Sequence, residues 1–409
     1  MTVDISALDR SNILDIDIGS PETKKRMRAL SAEWAQRPPF YVLRDGHVLV
    51  ICCRHADALE VYRDTTRFHT EVPRTPGYEM FDKFMGVRVL AQMDGEAHAR
   101  VRRLMAPAFS PKSIARLETG ITRAVDGLLD AIKANGPEFD AMSSYASRLI
   151  AETLLTVMLR LTESEKTIFL RMHEVIPLVT YTKAGESYPE ECVRAFADAR
   201  ALINEMIADR RRAPQEDFIT DLVAARDNDD RLSDEELFDQ IFTVCAGALS
   251  ATTQSFGGTI YALYSHPEIV KVLQASPELI PQAIEESRRW QSGGYLTFPR
   301  FAQCDTEVGG TKIQKGMVVR VSNQAAHYDP LVYPDPLRFD IYRNAKNISF
   351  GSGPHLCIGQ RLAKMATQIA VERILRVLPN ARMKDVNMEL SFGGSVGELR
   401  IQSLPMLVN

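Results

Sequence analysis

The feature of this sequence that most constrains its fold is the string FGSGPHLCIG at residues 350–359. Its glycines, at positions 351, 353 and 359, permit sharp turns and let the backbone approach a flat, bulky group closely. A helical apolar pattern follows, so Cys357 stands just before a helix N-terminus, where the helix dipole and free peptide N–H groups favour a thiolate. An isolated cysteine is usually a buried packing residue. Because that reading explains only one residue of the string, we interpret Cys357 as a metal ligand.

The string resembles the haem-binding loop of the cytochrome P450 family, F-G-x-G-x-H-x-C-x-G. The resemblance implies haem b (iron protoporphyrin IX) as cofactor, with Cys357 as the proximal thiolate ligand and with Phe350 and Gly351 contacting the haem. It also implies a cytochrome P450 fold, mainly α with small β-sheets, in a single large domain. Further segments match the family in order and spacing from about Pro38 onward.

Four basic residues from separate segments are candidates for binding the two haem propionates. His98 and Arg102 lie in a segment (residues 94–103) that resembles the family's helix along one haem edge, and their spacing places them on one helical face. Arg300 stands where the family has a propionate-binding strand, and His355 lies in the haem loop. Since propionates are costly to bury without cations, the resemblance implies that all four contribute to haem binding.

The segment EESRRW at 285–290 resembles the family's E-x-x-R helix, whose ion pair fixes the chain beneath the haem. Two registers are open, Glu285 with Arg288 or Glu286 with Arg289. We favour Glu286 and Arg289 as the structural pair, because the family usually has another acid just before that glutamate.

No formally charged residue occurs between Asp239 and Glu268. This stretch includes CAGALSATTQ at 245–254, in the place of the family's oxygen-binding helix. That helix usually reads Ala/Gly-Gly-x-acid-Thr, and its acid and alcohol help to deliver protons. In this chain no register supplies the acid.

The register of this motif is itself open. The acid position falls on Leu249, Ser250 or Ala251 and the alcohol position on Ser250, Ala251 or Thr252, depending on whether one aligns on Ala246-Gly247 or on later motifs. We predict that hydroxyl groups and water deliver protons instead. The candidate catalytic residues are Thr252, Ser250 and Thr253, with Thr252 favoured. The alternatives are peroxide-driven chemistry, proton delivery by a polar substrate, and a reaction that needs no O–O cleavage.

Helical periodicity dominates the chain, and strand signals are confined to about 40–53, 295–322 and 388–408. Asp45-Gly46 predicts a hairpin turn, and two capping boxes, Thr162 with Glu165 and Ser233 with Glu236, predict helix starts. We expect residues 1–37 to form an N-terminal segment with the first helix. Residues 38–409 are expected to form a single haem-thiolate domain without a fused reductase, with β segments from both ends of the chain packed together.

Charge and cysteine content exclude several classes of protein. Lys and Arg number 49 against 53 Asp and Glu, so there is no general positive field for nucleic acid or anionic membranes. The uncharged stretch carries many hydroxyl and amide groups, which favours a buried helix over a membrane span. Six cysteines without a CxxC pair, and an N-terminus unlike a signal peptide, predict a cytoplasmic protein.

The resemblance therefore predicts a soluble, bacterial-type monooxygenase. It is expected to insert one atom of O2 into a small or medium-sized hydrophobic substrate, with aromatic or terpenoid compounds favoured. Electrons would come from a separate ferredoxin or flavodoxin with its reductase, docked on a basic patch of Arg103, Arg361 and Lys364. The rival hypotheses are a haem-thiolate peroxygenase or another redox enzyme on the same fold and, from a different class, a haem-based sensor or binding protein. The candidates for apolar substrate contacts are Phe81, Phe84, Met85, Val179, Tyr181 and Phe392.

Overall fold

The computed structural model of the protein describes residues 3–44, 47–72, 89–181, 187–226, 228, 230–344, 346–394 and 396–409. Helices dominate this part of the chain, as the periodicity predicts. Short π-helical turns, Ala141–Ala146 and Glu152–Met158, flank the short α-helix Ser147–Ala151. The α-helices are α1 (Pro21–Lys25), α2 (Met27–Trp34), α3 (His55–Arg63), α4 (Gly95–Met105), α5 (Pro111–Ala115), α6 (Glu118–Ala134), α7 (Ser147–Ala151), α8 (Glu163–Tyr181), α9 (Glu190–Arg212), α10 (Phe218–Ala224), α11 (Asp234–Tyr264), α12 (Pro267–Ala275), α13 (Ile280–Trp290), α14 (Asn323–Ala326) and α15 (Gln360–Val377).

Helix α11 contains the uncharged segment from Gln240 onward, and it begins at the predicted capping box. The Glu236 amide donates to Ser233 Oγ at 3.2 Å, and the Ser233 amide donates to Glu236 Oε2 at 2.8 Å. The apolar side chains of the helix belong to the largest hydrophobic core. No helix in the described ranges is both long enough and apolar enough to cross a membrane. The second predicted box also forms, with the Thr162 amide donating to Glu165 Oε2 at 2.7 Å before α8.

The strands are short. They are β1 (Ile13–Leu14), β2 (Phe40–Arg44), β3 (His47–Cys52), β4 (Phe68–His69), β5 (Glu138–Asp140), β6 (Arg300–Ala302), β7 (Thr306–Val308), β8 (Thr311–Ile313), β9 (Val318–Val321), β10 (Arg382–Met383), β11 (Phe392–Gly393), β12 (Arg400–Ile401) and β13 (Pro405–Leu407).

The largest sheet has six strands in the order β1-β2-β3-β9-β6-β4. Strands β2 and β3 form the predicted antiparallel hairpin, although its turn at 45–46 lies outside the described residues. Strand β3 pairs in parallel with β9, which joins the two ends of the chain as expected. Strand β1, from the first 37 residues, adds to the edge of the same sheet.

The final strands bring the C-terminal segment against the helical core. Strand β13 lies between β10 and β5, while β11 and β12 form an antiparallel pair. A single bridge also joins Glu398, just before β12, to Gly294 in the loop that follows α13. These pairings hold Glu398 and β12 beside α11.

Candidate functional site

The Cys357 loop is a tight turn that depends on its glycines. Gly351 and Gly353 have φ values of +77° and +71°, a left-handed conformation that costs other residues energy. A side chain on Gly353 would also collide with the carbonyl oxygen of Tyr62, because its Cβ would lie 2.7 Å away. The Cys357 amide donates to the Phe350 carbonyl at 3.0 Å, which closes the loop just before α15.

Cys357 is exposed and lines a cavity, and the net effect of its surroundings is to raise the pKa of its thiol rather than to lower it as the helix start predicts. Surrounding protein atoms desolvate the thiol and raise its pKa. The backbone amides of Gly359 and Gln360 and the charge of Arg102 act in the opposite direction, because each stabilises the thiolate. The residues that line the cavity are Arg102, Ala106, Phe109, Cys357, Ile358, Gln360 and Arg361.

Two of the residues predicted to bind the haem propionates, His98 and His355, lie together near the start of α4. Their ring centroids are 4.2 Å apart. His98 is buried, and its Nε2 has no hydrogen-bond partner among the described residues. Burial, together with the charges of His355 and Arg102, lowers the pKa of His98 to about 4. His98 is therefore positioned as a neutral hydrogen-bonding group.

Asp94 organises this corner, and we did not identify it from the sequence. Its carboxylate accepts the Thr70 amide at 2.7 Å and the Glu71 amide at 2.9 Å, and it lies 3.3 Å from His355 Nε2. Burial raises the pKa of Asp94, but these hydrogen bonds outweigh burial and leave the pKa below its usual value. The one available signal was its place directly before α4, where an aspartate is a common helix cap.

Arg300 is buried as deeply as His98. Only 4% of it is exposed, its Nε has no partner in the described part of the chain, and its guanidinium carbon lies 4.9 Å from the centroid of the Tyr62 ring. Arg102 instead faces the Cys357 loop, where its Nη2 donates to the Leu356 carbonyl at 2.6 Å. The structure therefore groups His98 with His355 and places Arg102 next to the thiolate.

The E-x-x-R helix is α13, and the pair that it buries is Glu286 with Arg289. The Arg289 guanidinium donates to both carboxylate oxygens, at 2.7 and 2.8 Å. It also donates to three carbonyls of the segment that leads to the haem loop, those of His327, Pro336 and Arg338. The other register also forms a pair, 2.8 Å between Arg288 and Glu285, but Glu285 is 38% exposed.

The middle of α11 is buried or half-buried except for two small residues. Between Ile241 and Tyr264 only Gly247 and Ala251 are exposed, and they lie one turn apart on the same face. In the family motif the first small residue and the alcohol are also four residues apart. Leu249, in contrast, is buried in the core. The exposed face thus matches the register in which Ser250 takes the acid position and Ala251 the alcohol position.

The hydroxyl groups of α11 differ in their contacts. Ser250 Oγ donates to Glu398 Oε1 at 2.9 Å and accepts from Gln254 Nε2 at 2.7 Å. Thr252 is half-buried and Thr253 is buried, and neither side chain has a hydrogen bond within the described ranges. The sequence favoured Thr252, whereas the contacts single out Ser250. Cys245 is buried in the core.

Comparison with protein families agrees with this geometry. Residues 13–396 match the family model described as Cytochrome P450. The chain belongs to the cytochrome P450 family. Proteins of this family carry haem b. Cys357 lies in the loop that provides the thiolate ligand of the haem iron in its relatives.

This P450 has bacterial relatives with named oxygenase activities. It is 34% identical over 298 residues to nocardicin C N-oxygenase of Nocardia uniformis subsp. tsuyamanensis, covering 72% of this chain and 73% of that protein. It is 32% identical over 296 residues to mycinamicin IV hydroxylase/epoxidase of Micromonospora griseorubida, with the same coverage of 72% and 73%. The P450 hydroxylase LnmA of the leinamycin pathway of Streptomyces atroolivaceus superposes with a TM-score of 0.80 at 28% identity, covering 92% of this chain and 95% of that one. The P450BioI structure, at a TM-score of 0.85 and 23% identity over 95% of this chain and 99% of that one, supports the fold alone.

The residues of the site fit a flat, anionic, metal-containing group. The exposed Gly247 and Ala251 leave α11 without bulk on one face, and Cys357 is exposed. The buried Arg300 Nε and His98 Nε2 lack protein partners in the described part of the chain, so both can donate to carboxylates. The requirements of haem b are met by the chemistry of these side chains.

Of the predicted substrate contacts, the described side chains are those of Val179 and Phe392. Val179 is buried in the largest core and Phe392 is half-buried in β11. The remaining candidates, which lie outside the described residues or have side chains that do, are Phe81, Phe84, Met85 and Tyr181.

Proposed function

We propose that this P450 inserts one atom of O2 into a small or medium-sized, mainly hydrophobic substrate, an aromatic or terpenoid compound being our expectation. The observation that carries the proposal is the setting of Cys357, a single exposed cysteine on a glycine-constrained loop, where two backbone amides and Arg102 partly offset the desolvation that raises the pKa of its thiol. The names of the relatives, an N-oxygenase and a hydroxylase/epoxidase, describe oxygen insertion in those proteins.

In this proposal each predicted site residue has a physical role. Cys357 would bind the haem iron, and Arg300, His98, His355 and Arg102 would face the propionates. When bound, haem b with a thiolate ligand supplies the activation of O2. The protein's contribution is to hold the thiolate, pair the propionates and shape the distal face with Gly247 and Ala251.

Phe350 and Gly351 would form the floor beneath the thiolate. Gly351 needs its positive φ for the turn, and the Phe350 ring has the Arg288 guanidinium carbon 5.3 Å and Lys364 Nζ 5.7 Å from its centroid. These contacts fix the ring against α13 and α15. A fixed ring keeps the loop, and with it the sulfur, in one position.

We further propose that a separate ferredoxin or flavodoxin delivers electrons at the cavity beside Cys357. Arg361 lines this cavity and is exposed, and Arg103 lies on α4 next to Arg102, another lining residue. An acidic electron carrier would be steered to this charge. Lys364 contributes less than expected, because Glu285 lies 3.2 Å from its ammonium group.

The decisive experiment follows the oxygen atom. The haem-loaded protein is first screened for compounds that shift the Soret band, and a hit is then incubated with NADH, a surrogate ferredoxin and reductase, and isotope-labelled O2. One labelled oxygen atom per product molecule is expected, and none in Cys357→Ser, the matched control.

Two other results would contradict the proposal. Product formed efficiently from added peroxide, but not from O2 and NADH, would identify a peroxygenase. Reversible binding of gases or substrates without any product would identify a sensor or binding protein.

A further inference from the structure

The part of helix α11 from Gln240 to Tyr264 lacks an acid, yet a carboxylate reaches it from another part of the chain. Glu398 lies in the C-terminal segment, 148 residues from Ser250, and its Oε1 accepts the Ser250 hydroxyl at 2.9 Å. Ser250 occupies the position at which the family motif has its acid, in the register that the exposed Gly247 and Ala251 indicate. A carboxylate is therefore hydrogen-bonded to the residue that stands at the usual acid position.

The backbone around Glu398 is held firmly in this position. Glu398 forms a bridge with Gly294, and the Leu399 amide donates to the Gly293 carbonyl at 3.0 Å. Gly293 in turn presses on α11 one turn beyond Ser250, since a Cβ there would lie 2.8 Å from the Ser255 amide nitrogen. Only a glycine permits this close approach, which sets the distance between the C-terminal segment and the helix.

The surroundings of Glu398 contain several ionisable groups. Burial lowers the pKa of Lys24 on α1, while the Glu398 carboxylate opposes this shift and Arg400 adds to it. Burial also lowers the pKa of His173 on α8, with Arg400 adding to the shift and Glu398 again opposing it. Glu398 itself is half-buried, so it can exchange protons with solvent while it contacts the core.

We propose that Glu398 and Ser250 form the proton-delivery pair of this P450, with Glu398 supplying the carboxyl group that the middle of α11 lacks. The inference rests on the proposed O2-dependent function. Protonated Glu398 gives its proton to Ser250 Oγ while that hydroxyl releases its own proton toward the distal face of α11. The Glu398 carboxylate then takes one proton from solvent, so that one proton enters and one leaves in each cycle.

Gln254 has a positioning role in this arrangement. It is buried, and its Nε2 donates to Ser250 Oγ at 2.7 Å. This bond occupies one lone pair of the hydroxyl and restricts its rotation, so that its proton points to Glu398 in the resting state. The pair thus has a fixed geometry on the protein side.

The first test measures product formed and peroxide released per NADH consumed, under labelled O2. Glu398→Gln and Ser250→Ala are each expected to lower product per NADH by at least about tenfold and to raise peroxide, because a positioned acid contributes about 10² or more. Substrate binding, read from the Soret shift, should not change. Two controls should match the parent: Glu389→Gln, an exposed carboxylate near the same segment, and Thr243→Ala, whose hydroxyl bonds a carbonyl of its own helix.

The second test is rescue. Ser250→Asp in the Glu398→Gln background places a carboxyl group directly at the acid position, and it should restore most of the lost coupling. A merely structural hydrogen bond would give no such recovery, and absence of rescue would overturn the proposal. Coupling lost only in Thr252→Ala would overturn it as well, because the relay would then be the hydroxyl that the sequence favoured.

The third test needs no turnover. In an infrared pH titration of the haem-loaded protein, Glu398→Gln should remove one titrating carboxyl band. In Ser250→Ala the midpoint of that band should move upward, since the carboxylate loses a hydrogen-bond donor. An unchanged midpoint would refute the pair even if labelled product is formed. A parent that forms no labelled product would instead refute the proposed function, whatever the infrared result.

Discussion

Replacing Glu286 with alanine is expected to be among the most destabilising single changes in the chain. Only 1% of the Arg289 side chain and 3% of the Glu286 side chain are exposed, so neither charge can be solvated when its partner is removed. Breaking a buried ion pair of this kind costs about 3–5 kcal/mol. The Asp340 amide, 2.9 Å from Glu286 Oε1, would lose its acceptor too, at a cost of about 1 kcal/mol or more. The main term alone lowers the folding equilibrium constant by about 10²- to 10⁴-fold.

The assay is urea unfolding followed by far-ultraviolet circular dichroism, with every variant saturated with haem because bound cofactor adds to the apparent stability. Glu190→Ala is the control, since the Glu190–Arg194 pair, at 2.6 Å, has side chains that are 85% and 60% exposed. That exposed pair should contribute less than about 1 kcal/mol. Glu286→Gln, which keeps the shape but not the charge, should lie between the two. Equal midpoints for Glu286→Ala and Glu190→Ala would refute the reasoning.

Three further predictions follow from the same structure. Cys357→His should abolish the absorption band at about 450 nm of the reduced CO complex, because that band reports a thiolate ligand. Cys245→Ala, a change in the core, should retain the band. A retained band in Cys357→His would exclude Cys357 as the ligand. Reversing the charges of Arg361 and Arg103 should lower the apparent on-rate of an acidic ferredoxin and flatten its salt dependence in stopped-flow reduction, and unchanged kinetics at low salt would place the docking surface elsewhere. Burial raises the pKa of Asp140, but hydrogen bonds from Ser403, Ser143 and Leu404 outweigh burial and leave the pKa lowered. The Asp140 carboxylate therefore stabilises the folded state above about pH 4, and this contribution is lost as the pH falls through the folded-state pKa. Urea unfolding should therefore show Asp140→Asn to be less stable than the parent at neutral pH, with a difference that shrinks in acid; a difference independent of pH would contradict this.

The haem loop and the main helix starts could be predicted from the sequence because their signals are local. Gly351 and Gly353 are needed by the turn itself, and the capping boxes at Ser233 and Thr162 are formed by residues three positions apart. The absence of a charged residue between Asp239 and Glu268 can likewise be read directly from the sequence. For these features the nearest neighbours in the chain are also the neighbours in space.

The tertiary structure decided what depends on distant segments. Asp94 contacts His355 across 261 residues, and Arg289 selects Glu286 because its other donors meet carbonyls that only the folded chain brings near. The register of the α11 motif became clear only from which residues the packing leaves exposed. Glu398 carried no sequence signal at all, because its position beside Ser250 depends on the contact of Gly293 with α11 and on the strand pairing that follows. The sequence thus determined the thiolate loop and the absence of an acid from the middle of α11, whereas packing between remote glycines and strands determined which carboxylate lies next to it.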